Sequence, residues 1–162
     1  MKIFHYSVGG SGCTFISQLL AELFGQQNLD AGHECYSGKI EDPVVISIRD
    51  FRDVVLSFWR VHNDIPFKEI EAGRQASLAE IEPQIVLVKD SIQNHLLPSY
   101  KDNKRVLMLK YEQFFPDQFD YVFTEFENIF GIKIGKKKRA SLKLAYSFNR
   151  NKHKSSKMQS FK

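Results

Sequence analysis

Between residues 8 and 14 the chain reads Val8-Gly9-Gly10-Ser11-Gly12-Cys13-Thr14, three glycines within four positions beside two hydroxyls and a thiol. Those residue types suit an anion. Glycine lets the backbone approach a phosphate closely and adopt positive φ, and Ser11 and Thr14 add hydroxyl donors. The spacing is neither of two common phosphate motifs. A Walker A loop, G-x-x-x-x-G-K-[ST], needs Lys after its last glycine, and Cys13 stands there; a G-x-G-x-x-G fingerprint needs glycine where Phe15 stands. A phosphate loop of a third kind is the expectation. A second candidate is Arg49, whose planar guanidinium can grip a phosphate with two parallel bonds, with Ser57 two helical turns further on. The alternative for this arginine is pairing with Asp50 or Asp53. A third candidate is Lys110-Tyr111-Glu112.

The elements around these residues place all three groups alike. Ile3, Phe4 and Tyr6 form a β-prone run before the glycines. After them Phe15/Ile16, Leu19/Leu20 and Leu23/Phe24 recur at helical spacing, with Gly25 to end the helix. The helix N-terminus then points N–H groups and its positive dipole end at the glycine turn. Residues 26–42 read as a long loop with at most a short strand inside, holding His33, Glu34, Tyr36 and Lys39. Val44 to Ile48 reads as a buried parallel strand, and Asp50 as N-cap of a helix from Phe51 to about His62 with Val54, Val55, Phe58 and Val61 on one face. Asn63-Asp64-Ile65-Pro66 stops it. Pro83 is expected to start a helix carrying Ile85, Val86, Val88, Ile92, Leu96 and Leu97, ended by Pro98. Arg105 to Leu109 is another strand. Asp117 is expected to begin a helix with Phe119, Val122, Phe123, Phe126 and Phe130 in register, ended by Gly131, and residues 136–146 continue as helix. The order predicts an α/β fold, a parallel sheet flanked by helices with right-handed crossovers. Ligands of such sheets bind beyond the carboxyl ends of the strands, where all three candidate groups fall.

Composition limits the alternatives. At 162 residues the chain fits one α/β domain over residues 1–148, followed by a basic tail, 149–162, of disordered character. No apolar run is long enough to span a membrane and the N-terminus lacks the pattern of a signal peptide, so a cytoplasmic location is expected. Two cysteines, Cys13 and Cys35, make neither a disulfide framework nor a metal site. The charge is asymmetric. The first 132 residues hold 12 basic and 19 acidic side chains, a formal −7; the last 30 hold 11 Lys and Arg and no Asp or Glu. Aromatics are sparse in that basic stretch, so base stacking has little to work with and nucleic acid is not the expected partner.

Three segments in order carry a resemblance. Gly10-Ser11-Gly12-Cys13-Thr14-Phe15 is similar to the P-K-S-G-T-T-W segment of sulfotransferases that use 3′-phosphoadenylyl sulfate (PAPS). Arg49-Asp50-Phe51-Arg52-Asp53 through Ser57-Phe58-Trp59 resembles their R-[DN]-P-x-D-x-x-x-S-x-[WY] segment, and Tyr111-Glu112-Gln113-Phe114 their Y-E-D-[LF]. The resemblance implies the sulfotransferase variant of the P-loop α/β fold. It implies transfer of a sulfuryl group from PAPS, with no metal, to a hydroxyl or amine of a small-molecule or glycan acceptor. By the same resemblance Gly10, Ser11, Gly12, Cys13 and Thr14 hold the 5′-phosphosulfate, Phe15 takes the place of the aromatic that stacks on adenine, and Arg49 and Ser57 bind the 3′-phosphate. His33 stands in the loop where many members carry their catalytic base; His62 and His95 are weaker candidates. The chain departs from the family in two ways. Gly10 replaces the motif's lysine, for which Lys39, Lys110 and His5 are the available substitutes. The family's glycine- and tryptophan-containing closing loop is absent, since no Gly follows Gly135 and no Trp follows Trp59. These departures keep a second reading in view: a catalytically weak or inactive relative that binds PAPS or its product and acts through its basic tail.

Overall fold

The computed structural model describes residues 2–9, 12–32, 41–97, 101, 104–116 and 118–147. They divide into two compact units, Met1–Tyr111 and Glu112–Lys162.

The first unit is an α/β layer structure. Strand β1 (Ile3–Ser7) leads through the glycine turn into helix α1 (Cys13–Phe24), which ends at Gly25. A 3₁₀ turn, Gln26–Asn28, feeds β2 (Leu29–Gly32). Strand β3 (Val44–Ile48) is followed by α2 (Phe51–His62), α3 (Phe67–Glu71) and α4 (Leu78–Ser91); a π-helical turn, Ile92–Leu96, extends α4, and β4 (Val106–Lys110) completes the sheet. The four strands are all parallel in the order β2-β1-β3-β4. The expected α/β class with a parallel sheet flanked by helices is therefore the architecture observed. It also explains the near-continuous burial of β1 and β3, since helices cover both faces.

The pleat sorts the side chains. Phe4, Tyr6, Val44 and Ile46 point to one face and pack with Leu96 of the π-helical turn. Ile3, His5 and Ser7 point to the other, where α1 lies with Ile16, Leu19 and Leu20 fully buried. Helix α2 buries Val54, Val55 and Trp59, and Asp50 caps it by accepting from the Arg52 N–H. Here the expected face needs correction. Val61 is exposed, because the stripe that packs on α4 runs through Val54, Val55 and Phe58 and on to His62, which meets Gln84, and not to Val61.

Helix α4 departs further from expectation. It starts at Leu78, five residues before Pro83, because Ser77 and Glu80 form a capping box. The Ser77 hydroxyl accepts from the Glu80 N–H while the Glu80 carboxylate accepts from the Ser77 N–H at 2.8 Å, which satisfies two end donors at once. Pro83 thus sits inside the helix. Ser77→Ala is expected to lower stability by about 1 kcal/mol, the usual worth of such a cap, read as a shifted midpoint in urea unfolding at unchanged slope.

The second unit holds the end of a short helix α5 (Tyr111–Phe114), whose first residue belongs to the first unit, and helices α6 (Phe119–Phe130) and α7 (Lys136–Tyr146). Helix α6 starts at Phe119; Asp117, the expected start, lies outside the described residues, as does the basic tail. Phe119, Val122, Phe123, Phe126 and Phe130 are buried as their spacing predicts. Basic residues of α7 reach back to α6. Arg139 Nη2 donates to Glu127 at 2.7 Å and Lys143 Nζ to Asp120 at 2.6 Å. Glu127 also accepts from the Ile134 N–H at 2.6 Å. That backbone bond first, and Arg139 second, hold its carboxyl below the usual glutamate range. A depressed folded value means stabilisation that is present above the unfolded pKa and lost as pH falls through the folded one. Acidification should therefore loosen this unit, and Glu127→Gln should flatten that part of its stability–pH curve, measured by thermal melts across the acid range.

Candidate functional site

Strands β1, β3 and β4 end side by side, and each carboxyl end delivers one of the groups read from sequence. At β1, Gly12 adopts φ 79° and ψ 17° as the N-cap of α1, a left-handed conformation that costs a non-glycine residue about 1–2 kcal/mol. The Gly12 carbonyl accepts the first helical bond, from Ile16 N–H, so the N–H groups of the first turn face the glycine turn. Gly9 is needed for a different reason. A Cβ there would lie 3.0 Å from the ring of Phe58, so α2 closes directly onto the turn.

At β3, the Arg49 guanidinium donates through Nε (3.2 Å) and Nη2 (3.0 Å) to Asp53 Oδ2 and lies 4.5 Å from the Tyr111 ring centroid. The pairing with Asp53 weighed from sequence is thus present, and Asp50 pairs with Arg52 instead. The two Arg52 side-chain bonds (3.0 and 2.6 Å), then the Arg52 backbone N–H, bring the Asp50 carboxyl down to about 2. At β4, Tyr111 supplies the stacking surface beneath Arg49, while Glu112 belongs to the second unit.

Among the described residues of the first unit, two clefts flank these groups. The larger, of about 560 Å³, is lined by Arg49, Ser57, Trp59, Arg60, Arg74 and Gln75 among others. The expected pair Arg49 and Ser57 thus meets in one cavity, joined by two further guanidinium groups. Arg74 is held by Glu69 at 2.7 Å and Glu80 at 3.6 Å. The Trp59 indole Nε1 is buried in a residue only 3% exposed and makes no hydrogen bond of good geometry. Its N–H nonetheless adds to the Ser77 bonds that hold the Glu80 carboxyl below its usual range. A buried donor so poorly matched costs about 1–3 kcal/mol.

The smaller cleft, about 360 Å³, lies between α1 and β2, with His5, Ser7, Cys13, Thr14, Ser17 and Gln18 in its lining. Cys13 and Thr14 therefore face a different cavity from Arg49 and Ser57. Phe15 is half-buried and lines neither. Gly10, Ser11, His33 and Lys39 lie outside the described residues, as does the side chain of His95. His62 Nδ1 is 2.6 Å from Gln84 Oε1, a contact that ties α2 to α4.

Sequence reading missed Arg60, Arg74 and the place of His5. Arg60 was legible three residues after Ser57, on the same side of α2. His5 and Ser7 were legible as two polar residues alternating with Phe4 and Tyr6, hence on one face of a strand. Arg74 gave no signal, since it comes from the irregular stretch after α3. No protein-family model, curated protein or solved structure matches this chain.

Proposed function

We propose that the chain is a nucleotide-dependent sulfotransferase that moves a sulfuryl group from PAPS to an acceptor hydroxyl or amine. The observation that carries this reading is the meeting of Arg49 and Ser57 in one arginine-rich cleft beside the glycine turn. In the resemblance these two residues hold the 3′-phosphate, the group that distinguishes PAPS from ATP. A dianionic phosphate there would draw two donors from Arg49 and a hydroxyl from Ser57, with Arg60 and Arg74 adding positive field. Arg49 is well prepared for this task, because its stacking on Tyr111 and its bond to Asp53 fix the plane of the guanidinium. Gly12, Cys13 and Thr14 would offer first-turn N–H groups and a hydroxyl to the 5′-phosphosulfate, the oxygens of which gain charge as the bond to sulfur breaks.

Calorimetric titration with 3′,5′-adenosine bisphosphate, the product nucleotide, tests the reading against 5′-AMP and ATP. Micromolar binding that needs the 3′-phosphate is the expected result. Equal binding of 5′-AMP, or none of the bisphosphate, would overturn it.

A further inference from the structure

The polar residues buried in the sheet gather at one place. Among the described residues His5, Ser7 and Ser47 are buried, at 1%, 4% and 0% exposure, and all three come from β1 and β3 on the face that α1 covers. His5 bridges two hydroxyls. Its Nδ1 is 2.7 Å from Ser17 Oγ on α1 and its Nε2 is 3.1 Å from Ser47 Oγ on β3. In the tautomer whose Nε2–H donates to Ser47, Nδ1 accepts from the Ser17 hydroxyl. Ser17 is half-buried and lines the smaller cleft, and Cys13, one helical turn earlier on the same side of α1, lines it too. A hydroxyl polarised by a fixed imidazole therefore belongs to the lining of a cavity that Cys13 and Thr14 share.

We infer that this smaller cleft receives the acceptor and that Ser17, backed by His5, takes the acceptor's proton. The inference rests on the sulfuryl-transfer reading above. The larger cleft is lined by three arginines; the described residues lining the smaller one include no Asp, Glu, Lys or Arg. An acceptor seated there is uncharged, since a carboxylate or sulfate would lose its water with no cation in the described lining to replace it. Its volume suits a single ring bearing a hydroxyl, a phenol or one sugar unit. The step balances. The acceptor oxygen forms a bond to sulfur, and the bond from sulfur to the bridging phosphate oxygen breaks with both electrons leaving on the nucleotide. The acceptor proton passes to Ser17 Oγ as the Ser17 proton passes to His5 Nδ1. Ser17 is the catalytic residue in this scheme, and His5, which acts through it, is a positioning residue.

Two readouts test the inference on the full chain. The first is release of 3′,5′-adenosine bisphosphate from PAPS with phenol and methyl glucoside as neutral probe acceptors. Ser17→Ala should slow release about 100-fold, within the usual range for a lost proton acceptor, with affinity for the bisphosphate unchanged, and Ser17→Thr should restore much of the rate. The second needs no nucleotide. Phenylmethylsulfonyl fluoride should modify Ser17 faster than other serines, read by mass spectrometry, and His5→Gln should abolish that preference. Wild-type release in Ser17→Ala, no release with either probe, or no preference for Ser17 would each overturn the inference while a bound bisphosphate would leave the nucleotide site standing. Ser17 labelling in a chain that fails to bind the bisphosphate would instead overturn the sulfuryl-transfer reading, and the acceptor role with it.

Discussion

Arg49→Ala is expected to weaken binding of 3′,5′-adenosine bisphosphate about 100-fold, roughly 2.7 kcal/mol, while leaving the weaker binding of 5′-AMP nearly unchanged. The size follows from truncating one side of a two-pronged, charge-assisted contact, which typically costs about 2–5 kcal/mol. The selectivity follows from geometry, since Arg49 comes off β3 and the glycine turn off β1. Arg49→Lys should recover little, because a single ammonium cannot reproduce the planar fork or its stacking on Tyr111. The fold should tolerate either change. The Arg49–Asp53 pair is an exposed i,i+4 contact of a kind worth about 0.3–0.5 kcal/mol, and unaltered circular dichroism would verify that the loss is one of binding. Equal losses for the two nucleotides would mean that Arg49 does not read the 3′-phosphate.

Phe123→Ala should be the most damaging single change to the second unit, at about 3–5 kcal/mol. Phe123 is completely buried, lies 5.9 Å from the Phe119 ring centroid, and has the Arg139 guanidinium 5.5 Å from its own. Its removal leaves a void beside Phe119 and takes away the surface on which Arg139 rests while it bonds Glu127. Hydrogen exchange should show the amides of α6 and α7 losing most of their protection, and Phe123→Leu, which keeps more volume, should lose much less. Protected amides in Phe123→Ala would mean that the aromatic stripe is not what holds these helices.

The parts legible in the sequence are those where period, cap and breaker agree. Strand β1, the glycine turn and α1 up to Gly25 were readable from apolar spacing, and so were β3, the Asp50 cap and α2. Helix α4 is poorly legible because its apolar residues do not mark its buried side. Leu78, Val86 and Leu87 are exposed, while Gln84 is buried and meets His62. Its true start is written in the sequence as Ser77-Leu78-Ala79-Glu80, a capping box that lies ahead of Pro83. In the site, Arg49 and Ser57 were legible because a strand end and a helix turn fix their relative positions. The contribution of Arg74 was not, because no periodicity governs the stretch that carries it. Nor could the sequence tell that Cys13 and Thr14 face one cleft and Arg49 and Ser57 another, since that division depends on how α1 and α2 pack on opposite sides of the turn.

The all-parallel sheet has a consequence for how the chain must come into being. Phe4 pairs with Val44, forty residues on, and Val44 pairs with Val106, sixty-two residues on. No strand can therefore join its neighbour through a tight hairpin; each pairing waits for a long loop to close, and such loops slow folding. During synthesis β1 and β3 can meet long before β4 exists, leaving one side of β3 with an open row of backbone donors and acceptors until residues 106–110 emerge. In that interval the nascent chain already carries Arg49 but still lacks Tyr111, the ring on which the arginine rests, so the stacked guanidinium is among the last things translation completes in the first unit.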